Sequence, residues 1–177
     1  PASEEKTVGP VGYWKLDENN TNQVDSSGSS NNGTVLGANF TNDGKIGGAY
    51  NFDGSDLIKI SSNSALDLTQ QLTMSAWVKI NTWNTNGAGI VVKTTTDANE
   101  GDYGIVAGSA ANKIWFTLNN GAARTSYSNF QLNQWYFVTA TYDRNYMRLY
   151  INGNKVDELA YTSSITTNYQ GMKIGNY

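Results

Sequence analysis

The sequence predicts an all-β fold in which two antiparallel sheets pack as a sandwich. Short apolar runs recur at intervals of roughly ten residues, separated by clusters of Gly, Asn, Ser and Thr, which is the spacing expected of strands and turns. No segment longer than a turn or two shows a helical stripe of apolar residues. The pairs Asn120-Gly121 and Asn152-Gly153 predict tight hairpins, because Asn and Gly tolerate the positive φ angles of type I′ turns.

Residues 1–10 are interpreted as a linker and residues 11–177 as one domain, because only the second part carries strand-like runs. Within it, the stretch from Gly48 to Ile60 is interpreted as two short strands around a turn at Asp53-Gly54. The predicted strands, in chain order, lie near Val11–Leu16, Gly33–Leu36, Ala49–Phe52, Leu57–Ile60, Leu72–Ile80, Gly89–Lys93, Tyr103–Ala107, Lys113–Leu118, Thr125–Ser128, Trp135–Tyr142, Arg148–Asn152 and Gly171–Ile174.

Alternation within three of these strands assigns their side chains to faces, since successive residues of a strand point to opposite sides of the sheet. The predicted core face holds Leu72, Met74, Ala76, Val78 and Ile80, then Ile114, Phe116 and Leu118, then Met147, Leu149 and Ile151. The opposite face holds Trp77, Trp115 and Tyr150, with Arg148 beside Tyr150. Each of the three strands therefore turns one large aromatic ring away from the core.

Outward aromatic rings predict a platform for sugars, because the C–H face of a pyranose stacks on an aromatic ring while nearby polar groups bind its hydroxyls. The candidate sugar-binding residues are Trp77, Trp115, Tyr150 and Arg148, together with Trp83 in a polar loop. Two alternatives stay open. A loop or the curvature of the sheet could cover the outward rings, and Trp83 could be a plug over one end of the sandwich.

Composition excludes several classes of function. The chain has no Cys and no His, which rules out disulfides, thiol nucleophiles and a Ser-His-Asp triad. A net charge of −3 without any basic run argues against nucleic acid as a partner. No apolar run approaches membrane-spanning length, so membrane insertion is not expected. A polar surface with few charges suits neutral ligands that form hydrogen bonds, sugars among them.

An ordered set of segments resembles the laminin-G-like (concanavalin-A-like) jelly-roll domains of bacterial extracellular proteins. The resemblance covers roughly residues 11 to 175 and is carried by segments 13–18 (YWKLDE), 25–33 (DSSGSSNNG), 47–56 (GGAYNFDGSD), 72–80 (LTMSAWVKI), 134–143 (QWYFVTATYD) and 149–153 (LYING). It implies a jelly-roll sandwich located outside the cell or on its surface. Domains of this kind serve as carbohydrate-binding modules, as adhesin units and as accessory domains of hydrolases and lyases, so the resemblance is specific for fold more than for function.

The resemblance also implies a closing C-terminal strand that pairs with the first strand. The sequence reaches Gly175-Asn-Tyr177 before any such segment, so either the sequence is cut short there or another chain supplies the strand. We therefore expect an unpaired edge beside Val11–Leu16. Strand donation or self-association is predicted at that edge, because unpaired strands recruit other strands.

The loop of residues 25–33 is a candidate calcium site. It is rich in oxygen-bearing side chains, and calcium takes six to eight oxygen ligands, many of them from backbone carbonyls. The resemblance favours a structural calcium ion with Asp25 as its carboxylate ligand, and Asn32 and Asp17 are the further candidates. The alternative is a metal-free loop built from Asx turns.

Catalysis is not expected within this domain. Glycosidases of similar architecture carry paired Glu residues on one strand, but Glu100-Gly-Asp102 is followed by Gly104 and Ile105 where the second Glu would stand. The related alginate lyases need a His, which this chain lacks. The sequence therefore predicts a carbohydrate-binding module of a larger secreted or surface polysaccharide-active protein. The alternative is an adhesive or structural domain that binds protein.

Overall fold

The computed structural model describes residues 9–83, 87–94, 101–108 and 112–176. Most of the predicted linker, and Glu100 of the acidic segment, lie outside these residues. The strands are β1 (Asn22–Gln23), β2 (Gly33–Leu36), β3 (Asn39–Thr41), β4 (Ala49–Asn51), β5 (Leu57–Ile60), β6 (Leu72–Lys79), β7 (Ala88–Lys93), β8 (Tyr103–Ala107), β9 (Ile114–Leu118), β10 (Ala123–Tyr127), β11 (Trp135–Tyr142), β12 (Tyr146–Ile151), β13 (Asn154–Ala160) and β14 (Met172–Asn176). One 3₁₀ turn spans Ser64–Leu66.

The strands form two main antiparallel sheets, which confirms the predicted fold class. The large sheet has the order β1-β2-β5-β14-β7-β8-β9-β10, and the small sheet has the order β13-β12-β11-β6. A separate pair joins β3 to β4. At one side the edge strands of the two sheets meet, and the Ser126 backbone N–H of β10 donates to Asp157 Oδ2 of β13 at 2.7 Å. That bond gives a partner to a backbone N–H at the edge of the large sheet that would otherwise be unpaired.

The core lies between the two main sheets, and the predicted core faces of β6, β9 and β12 are confirmed. A row of apolar side chains crosses the large sheet in register, since Ile58 pairs with Ile174, Ile174 with Val91, and Ile105 with Phe116. Facing them from the small sheet are the fully buried side chains of Val138, Ala140, Met147 and Leu149. Since successive side chains of a strand point to opposite sides, the residues between these core positions point to the outer face of the small sheet. That face carries the candidate site described below.

Both predicted Asn-Gly hairpins are confirmed. Asn120 and Gly121, between β9 and β10, have φ angles of 54° and 80°. Asn152 and Gly153, between β12 and β13, have φ angles of 51° and 82°. The positive φ at both central positions is the geometry for which these residue types were predicted.

The predicted strand over Val11–Leu16 is wrong. The segment makes a single bridge, between Trp14 and Asp25, and the Trp14 indole N–H donates to the Asn31 carbonyl at 2.8 Å. Leu16 has a φ of 60°, and a residue in the left-handed region cannot continue an extended strand.

The sequence indicated two strands around the Asp53-Gly54 turn. β4 and β5 do flank it, but they do not pair with each other. β4 pairs with β3, whereas β5 pairs with β2 and β14 of the large sheet. The turn is held instead by the Asp56 and Asp53 carboxylates, which accept the backbone N–H groups of Asp53 and Ser55. It carries the chain from the β3–β4 pair to the large sheet.

A charged group is buried at the end of the sandwich. Lys93, which is 0 % exposed, forms an ion pair with Asp67 at 2.8 Å and donates to the Gln170 carbonyl. Asp102, 2 % exposed, accepts two hydrogen bonds from Asn168. These groups tie the segment between β13 and β14 to the sheets. No helix among the described residues is long and apolar enough to cross a membrane.

Candidate functional site

The structure divides the predicted sugar-binding residues between two surfaces. Trp77, Tyr150 and Arg148 lie on the outer face of the small sheet, whereas Trp115 lies on the outer face of the large sheet. One platform that includes both indoles is therefore not formed. The sequence assigned each ring to the correct side of its own strand, but it contained no information on which sheet each strand joins.

Three aromatic side chains come together on the outer face of the small sheet. Antiparallel pairing places Phe137 opposite Trp77 and Trp135 opposite Lys79. The Trp77 and Phe137 ring centroids are 5.2 Å apart with planes tilted by 44°, and Trp77 is 38 % exposed. These rings form the floor of an open depression of about 510 Å³, which we call the aromatic groove. Its lining residues are Lys45, Trp77, Trp135, Phe137, Asn152 and Gly153.

One wall of the aromatic groove is the turn between β12 and β13. Asn152 Oδ1 accepts the Phe137 backbone N–H at 2.8 Å, which fixes the amide beside the rings and leaves its NH₂ group as a donor. Gly153 has no other atom within 4 Å of the position that a Cβ would occupy, so the groove stays open at this end. The Asn-Gly signal in the sequence thus supplies both a turn and part of the site.

Two lysines lie over the indoles, and one of them, Lys45, lines the aromatic groove. Lys45 Nζ lies 5.2 Å from the Trp77 ring centroid, and Lys79 Nζ lies 5.1 Å from the Trp135 ring centroid. Both distances are within the range of a cation–π interaction. Sequence reasoning missed Trp135 and Phe137. Alternation with the buried Tyr136 and Val138 would have assigned both rings to the outer face. It could not have found Lys45, which comes from a distant loop.

Arg148 forms ion pairs with two carboxylates of the protein. Its Nη1 pairs with Asp143 Oδ2 and its Nε pairs with Glu158 Oε2, each at 2.6 Å. Hydrogen bonds from Arg148 hold the pKa of Asp143 at about 2, and hydrogen bonds from Lys155 and Arg148 lower the pKa of Glu158. A carboxyl with a lowered pKa is ionised at neutral pH and cannot act as a general acid. This pair therefore lacks the division into acid and base that glycoside hydrolysis needs.

The two remaining predicted residues are packed. Trp115 is partly buried with the Arg124 guanidinium 5.8 Å from its ring centroid. Trp83 packs against the core in an edge-to-face contact with Phe130, at a centroid distance of 6.3 Å. That is the arrangement of a plug at the end of the sandwich, the alternative left open for Trp83 by the sequence.

The candidate calcium loop is held by hydrogen bonds to backbone groups. Asp25 is 5 % exposed, and its Oδ1 accepts the N–H groups of Tyr13 and Ser27 while its Oδ2 accepts that of Asn31, each at 2.9 Å. Asn32 Oδ1 accepts the Asp25 N–H at 2.9 Å. Three N–H donors bind the Asp25 carboxylate and one binds Asn32 Oδ1, and a cation would repel these donors, so this conformation does not present the oxygens to a calcium ion. The geometry is that of an Asx turn with two added bonds.

Asp17 does not join Asp25 in a carboxylate cluster. It is exposed and lies beside Gly47, with its Cβ 3.1 Å from the position that a Gly47 Cβ would take. Across the described ranges, no group of three or more His, Cys, Asp or Glu side chains is arranged to hold a metal ion. Calcium stays a prediction, which the following experiment tests.

We expect Asp25→Ala to lower the free energy of unfolding by about 3 kcal/mol, because one buried and two partly buried N–H groups lose their acceptor. Burial by itself raises the pKa of Asp25, but hydrogen bonds from Ser27, Tyr13 and Asn31 outweigh it, so the net pKa is lowered. The stabilisation is therefore present above the ordinary carboxylate pKa and lost as pH falls through the lowered one. Urea unfolding at several pH values measures both effects.

Asp25→Asn is the matched control. It keeps an acceptor for the Tyr13 and Ser27 N–H groups, so we expect a smaller loss of unfolding free energy. Because an amide does not ionise, this site should then contribute no dependence of stability on acidic pH.

Thermal melts in calcium chloride and in EDTA test the metal. A Tm that rises with calcium in the wild type but not in Asp25→Ala supports a structural ion, and an unchanged Tm contradicts it.

Comparison with known proteins agrees with the architecture. A family model described as the concanavalin A-like lectin/glucanases superfamily, of the laminin-G type, matches residues 52–177. The binding domain of botulinum neurotoxin serotype D, solved with N-acetylneuraminic acid, is similar with a TM-score of 0.69 and 18 % identity over 94 % of this chain and 43 % of that one. Domain 4 of AbnA, an extracellular arabinanase from Geobacillus stearothermophilus, solved with arabinotriose, has a TM-score of 0.65 and 19 % identity over 94 % of this chain and 82 % of that one. Identities this low show a shared fold alone.

In sequence, botulinum neurotoxin type C of Clostridium botulinum C phage is 27 % identical over 152 residues. The match covers 77 % of this chain, but only 12 % of the neurotoxin's length. The family match covers well over half of the chain and agrees with the two-sheet architecture. The chain therefore belongs to the concanavalin A-like lectin/glucanases superfamily, as a laminin-G-like jelly-roll domain.

Proposed function

We propose that this chain is a non-catalytic carbohydrate-binding domain of a larger extracellular or cell-surface protein that acts on polysaccharide. The observation that carries the proposal is the aromatic groove. It presents two indoles and a phenyl ring on the outer face of the small sheet, beside the Asn152 amide and the Lys45 ammonium group.

The groove has the chemistry that a sugar ring requires. Exposed area on Trp77 and Trp135 offers stacking for the C–H face of a pyranose, and each ring pair of this kind is worth on the order of 1 kcal/mol. The Asn152 amide can donate to a hydroxyl of the stacked ring. Because both indoles project from paired strands, their backbone positions are set before binding. The Lys45 and Lys79 side chains that lie over the rings must shift to admit a stacked sugar.

The groove lacks the groups of a glycosidase. None of its lining residues is a carboxylate, whereas glycoside hydrolysis uses two that flank the scissile bond. The similar structures agree in part, since they include binding domains of neurotoxins and a domain solved in complex with arabinotriose, although a Trypanosoma rangeli sialidase also shares the fold. The arabinanase domain also supports the proposal that this chain is part of an extracellular protein that acts on polysaccharide.

Trp135→Ala and Trp77→Ala are expected to weaken glycan binding by about ten-fold each, and together to abolish detectable binding, because each removes one stacking surface. The measurement is a polysaccharide screen by affinity electrophoresis, followed by calorimetry on the best ligand. Folding is checked by thermal melts of each variant.

Trp115→Ala is the matched control, since it also removes an indole but from the other sheet. Unchanged affinity in Trp115→Ala together with loss in Trp135→Ala supports the aromatic groove. Loss in Trp115→Ala alone would move the site to the large sheet and contradict this assignment.

A second candidate function is adhesion to protein, and one observation favours it. Among the described residues β6 pairs only with β11, so its other edge is unpaired. Its core-facing Met74, Ala76 and Val78 are half-buried, whereas their β11 partners are buried. Such an edge can accept a strand from a second copy or from another chain. If no glycan binds and the protein associates in ultracentrifugation, this function replaces the first.

A further inference from the structure

The charges around the aromatic groove are not balanced. On the outer face of the small sheet, Arg148 and Lys155 are matched by Asp143 and Glu158 in a closed set of ion pairs. Lys79 is matched by Asp43, with Nζ 2.9 Å from Oδ2. Each of these cations therefore has a carboxylate partner of its own.

Lys45 is the exception. Its ammonium group lies over Trp77, and in the part of the chain that the structure describes no carboxylate lies within ion-pair distance of it. The side chain is exposed and lines the aromatic groove, which holds no acidic group. The groove consequently combines a stacking surface with one uncompensated positive charge.

We propose that the aromatic groove prefers an acidic glycan, one whose sugar rings carry carboxylates, and that Lys45 selects it. This inference rests on the proposed function, because it concerns a ligand of the same groove. A ring stacked on Trp77 places its substituents within reach of an ammonium group 5.2 Å from the centroid. A carboxylate there gains a charge-assisted hydrogen bond, and a neutral hydroxymethyl group does not.

The preference is expected to be modest and sensitive to salt. An exposed ion pair corresponds to roughly a three- to five-fold gain in affinity, and it weakens as the Debye length shortens. Repetition along a polymer adds to this gain when several domains or several residues of the chain engage at once.

The test compares acidic polysaccharides with neutral forms that keep the same sugar rings. Polygalacturonate and alginate are each measured beside their methyl-esterified forms, which keep the ring and remove the negative charge. We expect the acidic form to bind three- to five-fold more tightly at low salt, and the difference to vanish in 0.5 M sodium chloride. Lys45→Gln should bring the ratio of the two affinities to about one, whatever its effect on the affinity for the esterified form.

Lys59→Gln is the matched control, because it removes the same charge from an exposed lysine of the large sheet. It should keep the full preference, and equal losses in both variants would show general charge attraction and overturn the inference. Equal binding of acidic and esterified forms, or Trp135-dependent binding of neutral glycans only, overturns the inference but not the proposed function. Binding of no glycan at all overturns both.

Discussion

Replacing Lys93 by alanine is expected to lower the free energy of unfolding by about 3–5 kcal/mol, the largest effect that we expect from any single polar residue of this domain. The ammonium group is fully buried and pairs with Asp67. Its removal leaves Asp67 and Asp102 as buried carboxylates without their nearest cation. A buried charge deprived of its partner costs more than the pair contributes.

The pH dependence of the Lys93→Ala variant gives a second readout. Burial raises the pKa of Asp102, while the Asn168 N–H and the charge of Lys93 oppose that rise. A carboxyl whose folded pKa is raised contributes stability that is present below its unfolded pKa and is lost as pH rises through the folded value. Without Lys93 the pKa of Asp102 rises further, so the variant should lose more stability than the wild type as pH rises above the ordinary carboxylate pKa.

A second substitution separates loss of charge balance from loss of packing. Lys93→Met keeps most of the volume, and adding Asp67→Asn to it removes the stranded negative charge. We expect the double variant to be more stable than Lys93→Met alone, since the two positions are coupled. Urea unfolding followed by Trp fluorescence measures all three variants. Additive losses, or a loss below about 1 kcal/mol in Lys93→Ala, would contradict a coupled ion pair.

Gly175→Ala is expected to cost about 2–4 kcal/mol, from two sources. Gly175 lies within β14 at a φ of 63°, a conformation that disfavours any side chain. A Cβ at this position would also lie 2.1 Å from the Phe52 ring, which packs against the core. The ring and the central strand of the large sheet cannot both keep their positions.

Gly28→Ala isolates the first source. Gly28 has a φ of 88°, and no other atom lies within 4 Å of the position of its Cβ. Its substitution should therefore show only the backbone cost of about 1–2 kcal/mol. Thermal melts of the two variants measure the difference, which reports the contact between Gly175 and Phe52. Equal losses would mean that Phe52 moves aside at no cost.

Much of the fold could be predicted because its signals are local. The strands Tyr103–Ala107 and Trp135–Tyr142 have the predicted bounds, since each is a run of strand-forming residues that ends at a turn. β13 was missed because it is an edge strand with mostly exposed side chains and few apolar ones, so alternation gives no signal. The segment Val11–Leu16 has the composition of a strand, but its polar contacts to the 25–33 loop decide its path.

The candidate site was predicted only in part. Trp77 and Tyr150 were assigned to an outward face correctly, because the side-chain period of a strand is local. The grouping of Trp77 with Trp135 and Phe137 depends on β6 pairing with β11, which are separated by more than fifty residues. Trp115 seemed equivalent in sequence, yet its strand joins the other sheet.

By itself the sequence determined the class of the fold, the two Asn-Gly turns and the core-facing sides of β6, β9 and β12, because these follow from backbone preferences and from burial of alternate side chains. Tertiary structure decided which strands are neighbours, and so which outward rings share a surface. It also brought Lys45 to Trp77 and buried Lys93 beside Asp67. Contacts between distant segments depend on how whole sheets stack, and no short stretch of sequence records that arrangement.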